Sequence, residues 1–169
     1  MEVVHSYYLS IGSNLGDRLN HLQFGVNELQ PLGLIEKISC IYETEAIGFE
    51  TDNLFLNACL ILRTRLSPEE LLIKIHAIES AAGRVRIGDG KYHSRPLDID
   101  IIFFNQDVFQ SENLTIPQPK YAERKFVLLP LNDLSENLTD PVSKTSIKTL
   151  INDCLDLSKV EQRQLTLFI

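Results

Sequence analysis

Hydrophobic positions along the chain switch repeatedly between a period of two and a period near 3.6. Residues 3–11 (V-V-H-S-Y-Y-L-S-I) are β-branched and aromatic and predict a first strand, closed by a turn at Gly12-Ser13-Asn14. Leu15, Leu19, Leu22, Val26 and Leu29 then recur at helical spacing, with Asp17 as N-cap, Gly25 a slight weak point, and Pro31 and Gly33 closing the helix. Residues 35–44 predict a second strand, and 46–53 a loop holding Gly48 and two acids. Residues 54–65 form the clearest strand: Leu54, Leu56, Ala58, Leu60 and Leu62 make one apolar face, and Phe55, Asn57, Cys59, Ile61 and Arg63 the other.

Ser67-Pro68-Glu69-Glu70 starts a second helix, with Ser67 as N-cap, Pro68 at the first helical position and Glu70 completing a capping box. Its core stripe is Leu71, Leu72, Ile75, Ile78 and Ala82, with Gly83 as the stop. His76 and Glu79, three apart, read on local grounds as an ordinary boundary pair beside that stripe. Residues 97–104 are a further strand, with Leu97, Ile99, Ile101 and Phe103 toward the core and Asp98 and Asp100 on the opposite face. A short strand near 107–109, an extended proline-restricted segment at 113–120, a helix within 121–134 limited by Pro130, and an amphipathic helix over 143–155 complete the chain. The order β-α-β-β-α-β with short connections predicts an α+β, ferredoxin-like antiparallel sheet with helices on one face and a mostly helical C-terminal extension. The opposite face is then free as a ligand floor for Phe55, Asn57, Asp98 and Asp100.

Composition narrows the function. The 169 residues suit a single domain, 1–169, and the net charge of −7 argues against a general nucleic-acid binder. Three scattered cysteines without C-x-x-C spacing fit thiols in a reducing cytosol. No apolar run reaches the ~18 residues that span a bilayer, and the first residues do not read as a signal sequence. A cytoplasmic protein, without membrane or nucleic-acid partners, is the expectation.

Positive charge is concentrated locally: Arg84, Arg86, Lys91 and Arg95 lie within twelve residues, around a Gly88-Asp89-Gly90 turn. They lead straight into Asp98 and Asp100, whose Cα atoms, two residues apart on a strand, should be about 7 Å apart. Such carboxylates repel by on the order of 2 kcal/mol at an effective dielectric of about 20. A divalent cation facing a phosphate would reverse that; solvated residues on the wet face of an edge strand are the bland alternative, and the residues alone leave both open. Standard nucleotide loops are missing. Val85 stands where a P-loop needs glycine and Tyr92 where it needs Ser or Thr, and Gly12-Ser13-Asn14-Leu15-Gly16 lacks the dinucleotide spacing. The four histidines show no metal spacing. Oxygen ligands from Asp98 and Asp100 suit Mg²⁺, which leaves a Mg-nucleotide or other polyphosphate as the best-matched ligand.

Nearly the whole chain resembles the 6-hydroxymethyl-7,8-dihydropterin pyrophosphokinase family of the folate pathway. The resemblance rests on S-I-G-S-N-L-G-D-R (10–18), F-L-N-A (55–58), I-E-S-A-A-G-R-V-R (78–86), S-R-P-L-D-I-D-I-I-F-F (94–104), L-T-I-P (114–117) and R-K-F-V-L-L-P-L (124–131). It implies a ferredoxin-like fold and transfer of pyrophosphate from the co-substrate ATP to the pterin's hydroxymethyl oxygen, releasing AMP. By the same resemblance Asp98 and Asp100 hold two Mg²⁺ ions and act catalytically with Arg84 and Arg95. Phe55 and Phe126 sandwich the pterin, Asn57 bonds its edge, and the main chain of Thr44 and Ile47 lines its pocket. Glu79, Arg86, Thr115 and Arg124, with His76, Tyr92, Ile101 and Gln118, fall to the ATP side. Residues 86–95 correspond to a mobile lid, with Tyr92 where the family often has tryptophan.

Three positions depart from the pattern: Gln118 replaces a common histidine, Pro119 follows where some members have tyrosine, and His76 replaces a common glutamine. With the aspartates, the aromatic pair and Arg95 in place, an active, monomeric enzyme is the expectation. The alternative is a non-catalytic pterin- or nucleotide-binding module of the same fold. A Mg²⁺-dependent nuclease or sugar transferase using D-x-D would need a basic groove or a sugar-nucleotide domain, and the sequence shows neither.

Overall fold

The computed structural model describes residues 4–169, so Val3, where the first predicted strand begins, lies outside the described residues. Strand β1 (His5–Ser13) runs through Gly12 and Ser13, where the sequence predicts a turn. Helix α1 (Arg18–Leu29) starts at Asp17, whose Oδ1 accepts the Asn20 N–H at 3.2 Å. Leu15 stays outside the helix and exposed. Gly25 is more than a weak point, because a Cβ there would lie 3.2 Å from both Leu97 methyls. Its bare Cα lets α1 settle onto the chain entering the last long strand.

The predicted second strand divides into β2 (Leu34–Ile38) and β3 (Ile41–Thr44), both antiparallel to β4 (Phe55–Thr64). Ser39 bridges the break, donating its N–H to the Cys59 carbonyl at 2.8 Å and accepting the Cys59 N–H on Oγ at 2.9 Å. Helix α2 (Pro68–Ala81) carries the expected capping box, with Ser67 N–H donating to Glu70 Oε2 at 2.8 Å. Then come β5 (Asp98–Phe104), the small pair β6 (Phe109–Gln110) and β7 (Thr115–Ile116), α3 (Lys125–Leu134), α4 (Ile147–Asp153) and β8 (Val160–Arg163). The main sheet is antiparallel in the order β5-β1-β4-β3-β8, with β2 also on β4. It is a ferredoxin-like α+β fold.

Tyr7, Leu9, Ile11, Leu56, Ala58, Leu60, Leu62, Ile99 and Ile101 face α1 and α2 across one core. The opposite face is only partly free. Cys59, Ile61, Ile102 and Phe103 there form a second core with Val127, Leu128, Leu131 and Leu134 of α3. Phe103 is a correction: predicted to join the first core, it lies in the second. The β1–β5 register shifts between Tyr8 and Leu9, and such a bulge inverts the alternation beyond it.

Pro130 lies inside α3 and does not limit it. A proline in a helix interior costs about 3 kcal/mol and leaves the carbonyl four residues back, here Phe126, without its helical partner. Burial of Val127, Leu128, Leu131 and Leu134, at about 1.5–3 kcal/mol for each large side chain, outweighs that. The predicted 143–155 helix shrinks to α4, because Ser146 caps it by accepting the Thr149 N–H at 3.1 Å. The extension ends in β8, a strand that the expectation of a mostly helical tail did not include.

Candidate active site

The uncovered end of the second sheet face is built across β1. Gly12 sits opposite Asn57 on one side and Asp98 on the other, and Ser10 opposite Cys59 and Asp100. Neighbouring strands are about 4.8 Å apart, so Asn57 and Asp98 stand about 10 Å apart with no side chain between them. A Cβ on Gly12 would lie 3.0 Å from Asn57 Oδ1. The result is a cleft open to solvent, with about 540 Å³ of empty space when its open mouth is included.

One wall holds Phe55, Asn57, Thr44 and Ile47; the other holds Asp98, Asp100, Arg95, Arg124 and Phe126, with Tyr92 at the rim. The Arg95 guanidinium lies 5.3 Å from the Phe55 ring centre and 5.9 Å from that of Tyr92, and Arg124 lies 6.0 Å from Phe126. Thr44 Oγ1 and Asn57 Nδ2 are buried with no partner, as is Arg95 Nε. Unpartnered buried polar atoms are costly and uncommon. Two of them on the wall of one cleft mark where a polar-edged ligand belongs.

The charged end is a chain of ion pairs. Asp98 Oδ1 accepts from Arg84 Nη1 at 2.5 Å and its Oδ2 from Arg95 Nη2 at 2.8 Å. Glu79 Oε1 accepts from Arg84 at 2.6 Å and from the Ile99 N–H at 2.8 Å, and its Oε2 from Arg86 at 2.5 Å. Glu79 is 1% exposed, so it is no boundary residue; it is the buried keystone joining α2 to β5 and to both arginines. Burial pushes its carboxyl up, against the Ile99 N–H and the arginines. Burial also works to raise the Asp98 carboxyl, but Arg95 and Arg84 hold it below the usual carboxylate range. Burial, and then the Asp98 charge, push the Asp100 carboxyl up to about 7.

Arg84, Arg86, Tyr92 and Arg95 also line a shallower basic depression with Lys91, His93 and Ser94. In this exposed loop Asp89 accepts the Lys91 N–H at 3.0 Å and meets His93 Nε2 at 3.0 Å. Asn14 ties the loop's end to β1, accepting the Arg95 N–H at 2.7 Å and donating to Ser94 Oγ at 3.0 Å.

The remaining expected residues lie elsewhere. The Ile101 side chain is buried in the first core, on the face away from the cleft. Thr115 is exposed on β7 and His76 on α2; neither lines the cleft, but His76 lies beside the basic depression, where burial and then the Arg86 and Arg84 charges push its imidazole pKa down. Gln118 donates its N–H to the Ile102 carbonyl at 3.1 Å, while its Oε1 accepts the Lys120 N–H at 2.8 Å. Sequence reasoning missed Ser10, Glu45 and Phe49, which line the cleft, Phe49 with its edge toward Phe55 at 6.5 Å. Alternation with Leu9 and Ile11 was the available signal for Ser10; Glu45 and Phe49 sit in and beside an irregular loop, where no period applies.

Among the described residues no cluster of three or more His, Cys, Asp or Glu side chains could hold a metal ion. Asp98 and Asp100 nevertheless suit Mg²⁺, which is commonly held by one or two carboxylates plus substrate phosphates and water. Their mutual repulsion, which helps to raise Asp100, is what a divalent cation would relieve. No helix among the described residues is long and apolar enough to cross a membrane.

Comparison with known proteins shows the family. Over 131 residues the chain is 43% identical to the 2-amino-4-hydroxy-6-hydroxymethyldihydropteridine pyrophosphokinase of Porphyromonas gingivalis, covering 76% of this chain and 89% of that one. The Aquifex aeolicus protein of the same name is 37% identical over 141 residues, 83% of this chain and 87% of its own. The folic acid synthesis protein fol1 of Pneumocystis carinii is 37% identical over 150 residues, 88% of this chain but only 20% of that longer protein. The fold is shared with the wild-type Plasmodium falciparum HPPK-DHPS crystallised with pteroate, at a TM-score of 0.73 and 16% identity over 89% of this chain and 44% of that one. Residues 8–136, which carry the whole cleft wall from Ser10 to Phe126, match the family described as 7,8-dihydro-6-hydroxymethylpterin-pyrophosphokinase (HPPK), and the chain belongs to that family.

Proposed function

We propose that this chain transfers pyrophosphate from ATP to 6-hydroxymethyl-7,8-dihydropterin, giving the pterin diphosphate and AMP, in folate biosynthesis. The observation that carries the reading is one cleft that joins two unpartnered buried polar atoms, on Thr44 and Asn57, to a carboxylate pair of which Asp98 is gripped by Arg84 and Arg95. The hydroxymethyl oxygen attacks the β-phosphorus of ATP, the bond from that phosphorus to the α–β bridging oxygen breaks, and AMP leaves with the electron pair while the hydroxyl gives up its proton.

Each residue has a physical role. Phe55 and Phe126 offer flat faces to the pterin ring, and Asn57 and Thr44 meet its polar edge. Phosphoryl transfer depends mainly on positioning and charge stabilisation. Arg84 and Arg95 present forked donors to phosphate oxygens, with Arg86 and Arg124 beside them and Glu79 holding Arg84 and Arg86 in place. Asp98 and Asp100 would hold two Mg²⁺ ions, which when bound neutralise phosphate charge and favour the leaving oxygen. Residues 86–95 close over the substrates as a lid, with Tyr92 and Arg95 at its cleft end. The proposal takes the chain as one domain and a cytoplasmic monomer; its acidic net charge supports small-molecule over nucleic-acid partners, and its free cysteines fit a reducing compartment.

The test is AMP release from ATP, Mg²⁺ and the reduced pterin, in wild-type protein and in Asp98→Ala and Asp100→Ala. AMP from wild type only, lost on chelation, supports the proposal. Release of ADP, or full rates in both variants, refutes it; pterin binding without AMP selects the non-catalytic module instead.

A further inference from the structure

We infer that the C-terminal tail, through Asp156, is a positioning element for the ring slot, setting affinity for the pterin without touching it. This rests on the function proposed above. Residues 137–169 lie beyond the family match, yet they tie the two walls of the cleft together. Asp156 Oδ2 accepts the Lys125 N–H at 2.9 Å, at the start of α3 and next to Phe126. Four residues on, Val160 pairs with Thr44, which carries an unpartnered cleft hydroxyl. Between them Asp156 Oδ1 accepts the Ser158 N–H at 2.9 Å, which closes the turn. One short segment therefore grips both the Phe126 wall and the Thr44 wall.

The first turn of α3 needs that grip. Arg124, at its N-cap position, makes no side-chain capping bond. Pro130 has no N–H to give the Phe126 carbonyl, so the turn bearing Phe126 lacks an internal bond as well. Asp156 supplies from outside the carboxylate that usually comes from an N-cap, where a negative charge also meets the positive end of the helix. The Asp156 carboxyl is correspondingly held low: burial alone would raise it, but the Ser158 and Lys125 contacts win.

The prediction separates positioning from general stability. Asp156→Ala should weaken pterin binding by calorimetry and raise its KM about fivefold, the scale of a lost cap, with kcat and the KM for ATP within about twofold. Asp156→Asn, which keeps one acceptor oxygen but neither the second one nor the charge, should recover only part of the loss. Ser146→Ala, which uncaps α4 and touches no cleft residue, should leave pterin affinity unchanged. An unchanged pterin Kd in Asp156→Ala overturns the inference, as does an equal loss in Ser146→Ala, an unrescued Asp156→Asn, or a uniform fall in every constant. Wild-type protein that neither binds pterin nor forms AMP overturns the proposed function itself.

Discussion

Replacing Glu79 by alanine would break the junction between α2, β5 and the arginines, and the structure sets the scale of the loss. Arg86 has a 55% exposed side chain, so its pair with Glu79 is solvent-screened and counts for at most about 1 kcal/mol. Arg84 is only 17% exposed but keeps Asp98 as a partner after the substitution. Two other losses weigh more: the charge-assisted bond to Arg84, about 1.5–3 kcal/mol, and the Ile99 N–H left buried and unpaired, about 1–3 kcal/mol. Their ranges together run from about 2.5 to about 6 kcal/mol, and the middle of that span, about 3–5 kcal/mol, is the range for breaking a buried pair. For a domain of this size that lowers Tm by about 6–20 °C. Glu79→Gln keeps an oxygen for the Ile99 N–H and Arg84 but gives up the charge and the acceptor for the exposed Arg86, so it should lose less than alanine does. Thermal unfolding followed by circular dichroism at neutral pH measures both. An alanine variant melting within about 2 °C of wild type, or a glutamine variant as unstable as alanine, would refute the keystone role.

Two further outcomes follow from packing and charge. Gly25→Ala should lower Tm even though alanine is the better helix former by about 1 kcal/mol, because the new Cβ presses on the fully buried Leu97; a raised Tm would contradict that packing. The Asp140 carboxylate accepts the Tyr121 hydroxyl and the Val142 and Ser143 N–H groups, which outweigh its burial and hold its pKa low. A depressed carboxylate stabilises the fold above its unfolded value of about 3.9 and loses that contribution as pH falls below it. Asp140→Asn should therefore be less stable at neutral pH, with a shallower loss of the urea midpoint below about pH 4; parallel curves for the two proteins would argue against the linkage.

What the sequence alone determined is whatever depends on neighbours within one element. The capping box at Ser67 and Glu70 and the N-cap at Asp17 are local hydrogen bonds between residues three apart, so spacing sufficed to find them. Alternation in 54–62 and 97–101 placed Phe55 and Asn57 on one face, and Asp98 and Asp100 on one face, because side-chain direction along a strand is a backbone property. The order of elements and the motifs along 10–131 carried the fold class and the family.

Only tertiary structure decided the rest. Phe103 changed sides because a bulge depends on how β5 pairs with β1, which its own sequence does not encode. Pro130 stayed inside α3 because burial against the sheet outweighed a local rule. Glu79 looked like a boundary residue by helical spacing, yet packing buried it against the Ile99 N–H of β5, while the chain leaving α2 turned Arg84 and Arg86 back onto it. Ile101 is buried in the first core and Thr115 and His76 are not among the residues lining the cleft, while Ser10, Glu45 and Phe49 line it. The contacts of β8 and Asp156 with the cleft walls are long-range contacts with no local period, so nothing along the tail announced them. Local interactions fix direction and caps within an element; which face is covered, and which charges meet, depends on surfaces brought together from distant parts of the chain.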